Sequence, residues 1–220
     1  MSRLVQLFIN FLKYTCDKRT SIAMRCLCEA WIKQDHINRE AKIKLIIRQL
    51  LKTLVEMHKQ NIVHRDIKPE NVVFVQSSTT KTPSNGDDQE KDSKCYVEMK
   101  FIDFGEAIMV NDNETYCHLV GTPCYLAPER FRKHRGWELK EELQTKIGAG
   151  EWDMPQGCEP STLCQHFISV LLTVNPEKRP SAKFALKHPW LVTNPKVFQR
   201  RLSEWNQLND TLPKWSTYVP

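Results

Sequence analysis

Ile43, Ile46, Ile47, Leu50, Leu51, Leu54 and Met57 recur at helical spacing, which gathers all seven on one side of an α-helix. A strand, with its period of two, would scatter the same residues over both faces. Such a stripe has to be buried against other apolar elements, so it commits the chain to a core that is largely helical. Asn38 stands ahead of the stripe with a short side chain able to accept from the first unpaired backbone amides, and Glu40 suits the positive end of the helix. The helix then delivers the next segment at a fixed position. That segment is Asn61-Ile62-Val63, apolar and strand-like, and then His64-Arg65-Asp66-Ile67-Lys68-Pro69-Glu70-Asn71.

Two further clusters come in order behind that loop. Asp103-Phe104-Gly105 succeeds the apolar Phe101-Ile102, and Ala127-Pro128-Glu129 succeeds Gly121-Thr122-Pro123. Singly each is a weak signal, since an isolated acid or amide usually caps a turn. Together, and each in its expected setting, they resemble the catalytic loop, magnesium-binding loop and activation-segment end of eukaryotic protein kinases. Leu171 to Ser181, with Asn175-Pro176-Glu177-Lys178-Arg179-Pro180 at its centre, and His188-Pro189-Trp190-Leu191 resemble the last helices of a kinase. Their closest likeness is to the calcium/calmodulin-dependent group of serine/threonine kinases. The resemblance runs over most of residues 3 to 191.

That resemblance implies a role for each position. Asp66 orients a substrate hydroxyl, Lys68 compensates charge on the phosphate being transferred, and Asn71 with Asp103 holds magnesium, so Lys68, Asn71 and Asp103 together contact Mg2+-bound ATP. Lys68 marks the serine/threonine branch. Gly105 permits a sharp turn beside Asp103, while Phe104 packs and does not react. Thr122 belongs to the substrate platform, and Arg179 pairs with Glu129 to tie the activation segment to the helical lobe. Arg65 offers a basic partner to a phosphate on Thr115, an arrangement able to order the segment.

At 220 residues and 40% hydrophobic, the chain is long enough for one sizeable core. Its net charge of +6 comes from Lys and Arg scattered along the sequence, which gives no support to nucleic-acid binding. Of the eight cysteines, Cys26 and Cys28 are the closest pair and no C-x-x-C occurs, so free thiols in a reducing compartment are expected. Met1 to Phe11 carries an arginine and a short apolar run, but no small-residue cleavage site comes after it and the run is far below the ~20 residues of a membrane span. A cytoplasmic or nuclear protein without a membrane anchor is the expectation.

The expected architecture is α+β, protein-kinase-like: a mainly helical C-terminal lobe with a remnant of the N-terminal β lobe. Residues 1–191 form the incomplete domain, 1–30 as β-lobe remnant and hinge and 31–191 as helical lobe, with a polar loop over 76–95 and a tail over 192–220. Leu4 to Phe11 and Ile22 to Cys28 read as two paired strands, with a hinge near Leu27-Cys28-Glu29 and Met24 or Arg25 beside the adenine pocket. In the tail, Val197, Phe198, Leu202 and Trp205 share a helical face beside Arg200 and Arg201. Calmodulin targets look like this, as do ordinary surface helices, the commoner case.

Two pieces of a complete kinase domain are missing. Residues 1 to 63 contain no glycine, so no phosphate-covering glycine-rich loop exists there, and no lysine stands where one would pair with the α and β phosphates. Between Arg130 and Pro160 no long apolar run occurs, and Glu142 to Ile147 already resembles the helix beyond the central hydrophobic one. The apolar faces after Asn38 and near Phe167, Val170 and Leu171 would then lack their common partner, and stability would suffer. Three readings compete: a kinase acting on a protein hydroxyl, its missing parts supplied elsewhere; a non-catalytic interaction module; or an inactive truncated product. A calmodulin-like or upstream-kinase partner is implied only by the resemblance.

Overall fold

The computed structural model describes residues 39–77, 96–111, 120–122, 125–131, 141–151, 159–192 and 195–208. Its longest element, α1 (Arg39–Lys59), arises from the apolar stripe: Ile43, Ile47, Leu50 and Leu51 are wholly buried, while Lys52 and Glu56 face water. The helix ends at Asn61, whose φ of 57° is the left-handed turn that asparagine tolerates better than most residues. Gln60 and Asn61 close the last turn by donating to the carbonyls of Met57 and His58.

Two short antiparallel ladders come next. β1 (Ile62–Val63) pairs with β4 (Ile108–Met109), and β2 (Val72–Ser77) pairs with β3 (Tyr96–Phe101) in a register running from Val72 opposite Phe101 to Ser77 opposite Tyr96. On β3, Met99 and Phe101 turn inward while Glu98 and Lys100 are exposed, the alternation of a half-buried strand. Gln49 of α1 accepts from the Met99 backbone amide at 3.0 Å and ties hairpin to helix. The polar loop expected over 76–95 is shorter than that, because Gln76 and Ser77 belong to the β2 ladder.

The second half closes the core. α2 (Pro128–Phe131) and α3 (Glu141–Ala149) precede α4 (Thr162–Leu171), whose N-cap Ser161 accepts from the Cys164 amide. Cys164, Phe167, Ile168 and Leu171 of α4 join the α1 stripe, α5 (Ala182–Ala185), Trp190 and Leu191 in one continuous cluster. Within it α1 packs on α5, β3 and the Trp190 turn, and α4 packs on the Trp190 turn. Glu40 reinforces the joint: its carboxylate accepts from Ser161 N at 3.0 Å, Ser161 Oγ at 2.7 Å and Trp190 Nε1 at 2.7 Å. Burial alone would raise the Glu40 carboxyl, but the Ser161 and Trp190 hydrogen bonds outweigh it and hold it below its ordinary value. Glu40 is thus a stitch between three elements, beyond its place at a helix start.

The tail does not stand apart either. α6 (Pro195–Leu208) buries Trp205 against Phe184 and His188, with ring centroids 4.7 Å away in both cases. The expected strands at Leu4–Phe11 and Ile22–Cys28, the hinge, Met24, Arg25, the Asn38 cap and Thr115 lie outside the described residues. Among the described residues no helix is long and apolar enough to cross a membrane.

Candidate functional site

The loop from His64 to Asn71 lies between β1 and β2, and the Asp103 turn lies between β3 and β4, so both ladders bring the two loops together. The β2–β3 ladder gains one more bond where Ile102 N donates to Asn71 O at 3.0 Å. Asn71 and Asp103 consequently sit at the same end of one hairpin. His64 fastens the loops from inside. It is 1% exposed, its Nδ1 accepts from Asp66 N at 3.3 Å, and its Nε2 lies 3.0 Å from Ile102 O. Because Nδ1 accepts, the ring proton sits on Nε2 and donates to Ile102. The ring also packs on Phe101 at 5.6 Å and Phe104 at 4.9 Å.

Asp66 is the most heavily hydrogen-bonded group here. Its Oδ1 accepts from Thr122 N at 2.9 Å and Thr122 Oγ at 3.0 Å. Its Oδ2 accepts from Lys68 Nζ at 2.7 Å and Asn71 Nδ2 at 3.2 Å. Lys68 also donates to Thr122 Oγ at 3.1 Å, so Asp66, Lys68 and Thr122 form a closed triangle. Burial would push the Asp66 carboxyl up, but the Lys68 and Thr122 hydrogen bonds more than offset it and hold it below the usual carboxylate value. Four donors saturate a carboxylate, so an incoming hydroxyl has to replace one of them.

Asn71 spends its amide group on Asp66, donating to Asp66 O at 2.9 Å as well as to Oδ2, and this leaves Oδ1 without a partner among the described residues. The residue is buried as a whole, yet that oxygen is not sealed from water, which leaves it open to a ligand. Asp103 presents an exposed carboxylate nearby whose Oδ1 takes only the weak 3.4 Å contact from Gly105 N. One carboxylate and one carboxamide oxygen suit a hard cation that keeps its water and phosphate ligands, as magnesium does. The described residues contain no group of three or more His, Cys, Asp or Glu placed to hold a metal by themselves.

The strained backbone falls on Asp103, at φ 59°, and not on the neighbouring glycine. A Cβ at Gly105 would lie 3.3 Å from Asp103 Oδ1, a tight approach that the exposed Asp103 side chain would have to yield to. Phe104 packs on His64 yet remains half exposed. Arg65 is the other left-handed residue of these loops, at φ 65°, and such outliers gather at functional turns. Its Nε donates to Glu106 O, and its guanidinium lies 3.9 Å from the Glu106 carboxylate. Thr115, its expected phosphorylated partner, lies outside the described residues.

Away from the loops, Arg179 Nη1 and Nη2 donate to the two Glu129 oxygens at 2.8 Å each, the planar fork matched to a carboxylate. Arg179 also donates to the carbonyls of Thr173 and Val174. Burial would raise the Glu129 carboxyl, but the Arg179 bonds override it and lower it. Sequence reasoning missed His64, which was visible only as a motif letter, and Glu106, whose acid after Asp103-Phe104-Gly105 was in plain sight. It gave Lys68 to a phosphate; here Lys68 is held by Asp66 and Thr122.

Comparison with known proteins gives these residues a context. The model of the protein kinase domain matches residues 14–143. "Probable myosin light chain kinase" of Dictyostelium discoideum is 32% identical over 198 residues, covering 76% of this chain and 57% of that protein. Calcium/calmodulin-dependent protein kinase type II of Caenorhabditis elegans is 30% identical over 184 residues, covering 72% and 23% respectively. A calcium/calmodulin-dependent serine/threonine-protein kinase of Malus domestica is 30% identical over 187 residues, covering 73% and 41%. The chain thus spans less than two thirds of each relative. The aligned length also exceeds the part of this chain that takes part, so each relative carries residues within the match that this chain lacks.

Proposed function

The chain belongs to the protein kinase family, and from that premise we propose that its His64–Asn71 loop and Asp103 serve transfer of the ATP γ-phosphate to a serine or threonine hydroxyl of a protein substrate. The observation that supports this most is the saturated Asp66 beside a buried Asn71 whose Oδ1 is unclaimed among the described residues. A carboxylate held below its usual value is a poor resting place for a proton. Asp66 therefore works chiefly by orientation, accepting a hydrogen bond from the substrate hydroxyl once Thr122 Oγ yields its place. Lys68 stays within reach of that same point and supplies positive charge where it is needed. Asn71 Oδ1 and the Asp103 carboxylate would hold the magnesium, and Lys68 the phosphate. Bound Mg2+-ATP supplies the transferable phosphoryl group and neutralises its charge. Glu129 and Arg179 brace the segment carrying Thr122.

Residues 1–30 are, in this reading, a β-lobe remnant and hinge, and 31–191 a helical lobe without its central helix. With no glycine in residues 1 to 63, those residues supply no glycine-rich cover for the phosphates, and we expect transfer by the isolated chain to be weak. A second reading is a docking module that keeps the lobe without the chemistry. The names of the relatives suggest a calmodulin-like partner for α6, which would first have to lift Trp205 off Phe184 and His188. An upstream kinase acting on Thr115 and a cytoplasmic or nuclear location complete the proposal.

The test is radiolabelled ATP transfer to a generic basic protein by the chain and by Asp66→Ala, with thermal unfolding in Mg2+-ATP alongside. Label transfer lost in the variant supports the kinase. A cooperative melt that nucleotide leaves unmoved points to the docking module.

A further inference from the structure

His166 of α4 and His188, the residue ahead of the Pro189–Leu191 turn, are both buried, with His166 Nδ1 and His188 Nε2 2.8 Å apart. A backbone amide can only donate, so the 3.0 Å bond from Trp190 N makes His188 Nδ1 an acceptor and leaves the ring proton on Nε2. That proton is then donated to His166 Nδ1. Both acceptor nitrogens of the neutral pair are thus taken. A proton added to His188 would set Nδ1–H against Trp190 N–H, and one added to His166 would set Nδ1–H against His188 Nε2–H. Either breaks a hydrogen bond that the fold has removed from water.

The pair also seats α6. Trp205 meets the His188 ring edge-on at 4.7 Å and, with Val170 and Phe184, forms a small cluster apart from the α1 core. On its other side His188 lies 5.0 Å from Phe167, inside that core. Water therefore reaches the imidazole with least loss of burial by opening the small cluster. The charged groups of the packed elements are engaged with other partners or with water. Glu40 of α1 is held by Ser161, Trp190 and Lys44, and Glu204 of α6 by Arg200 and Arg201. Lys44 lies over the Trp190 ring, Lys187 over Phe184, and Lys183 of α5 is exposed. From α4 come the Cys164 thiol and His166 itself, and His166 adds to burial in holding the His188 imidazole well below its ordinary value.

We propose that the His166–His188 pair is a proton-operated latch for α6, closed while both rings are neutral and opened by acid, when the ring that seats Trp205 turns to water. α6 then leaves the lobe with Trp205 while the α1 core stays folded. Proton uptake favours the open form, so the latch holds above about pH 6.5 and weakens as pH falls below it. Nothing in this requires phosphoryl transfer.

The test is amide hydrogen exchange of the full chain without nucleotide, resolved for α6 and α1, between about pH 7.5 and about pH 5.5. Rates are corrected for the intrinsic pH dependence of exchange and taken with and without low urea. Protection of α6 is expected to fall about tenfold per pH unit below about pH 6.5 and to ignore low urea, while α1 stays the better protected helix and keeps its urea dependence. The double variant His166→Gln with His188→Gln is expected to hold α6 protection level across the range. If that variant does not fold, the wild-type imidazole resonances replace it: α6 should become unprotected at the pH where His166 and His188 take up protons. Level α6 protection in wild type, exchange of α6 and α1 at one rate with one urea dependence, a fall that survives in the double variant, or imidazoles that titrate while α6 stays protected would overturn the proposal.

Discussion

The α1–α4 core and the loop ledge above it are held together by opposite means. In the core, Ile43, Ile47, Leu50, Phe167 and Leu171 lose all contact with water and hold by shape and dispersion. On the ledge, Asp66, Lys68, Asn71 and Thr122 hold by directed hydrogen bonds, and two residues, Arg65 and Asp103, sit in left-handed backbone. Ile67, Val72, Met99 and Phe101 join the regions by entering the α1 cluster, and Gln49 adds a polar tether to Met99. The difference teaches that the core sets whether the chain folds, while the ledge sets what it does, and changes in one should be separable from changes in the other.

Phe167→Ala should break the core most severely. It removes a wholly buried ring stacked on Trp190 at 4.9 Å, and we expect a loss of about 3–5 kcal/mol by urea unfolding. A loss under about 1 kcal/mol would mean the cluster that Phe167 and Trp190 share with α1 is not the core of the chain. Arg179→Ala comes next, at about 2–3 kcal/mol, because Glu129 keeps its charge without its fork; its one-third exposure tempers the cost. Glu129→Gln should cost less, since the buried partner then loses only charge pairing.

The pH dependence sharpens the comparison from the core side. Burial, and then the nearby His166 ring at 2.8 Å, pushes the His188 imidazole well below its ordinary value. The unfolded chain therefore binds a proton that the folded chain refuses. Stability is fully present above about pH 6.5 and falls as pH drops through that value, by up to about 1.4 kcal/mol per pH unit. Urea midpoints at about pH 7.5 and about pH 5.5 read this, and His188→Gln should flatten the difference. The smallest stability effect belongs to the ledge. Asp103→Gly relieves a left-handed residue but frees the unfolded chain, so stability should move by no more than about 0.5 kcal/mol. The midpoint shift given by Mg2+-ATP should disappear in the same variant. If it persists, Asp103 does not hold the metal.

Much of this was readable from the residues, and the reasons for success and failure are local. The α1 stripe could be read because burial repeats with the helix turn. The loop motifs could be read because their residue types are few and ordered. That the α1 and α4 faces join one cluster was hidden, since no periodicity says which apolar faces share a core. The triangle of Lys68, Asp66 and Thr122 was hidden for a similar reason: residues 54 apart in sequence meet only if both ladders close.

By itself the order of residues determined the family, the helix that carries the loop, and the side chains proposed to meet metal, phosphate and hydroxyl. Tertiary structure alone decided who holds whom: Thr122 and Lys68 on Asp66, Glu106 on Arg65, Glu40 on Ser161 and Trp190. The physical reason is range. Periodicity and residue chemistry act within a few residues, whereas a charge or hydroxyl finds its partner only after the core has fixed distances between distant segments.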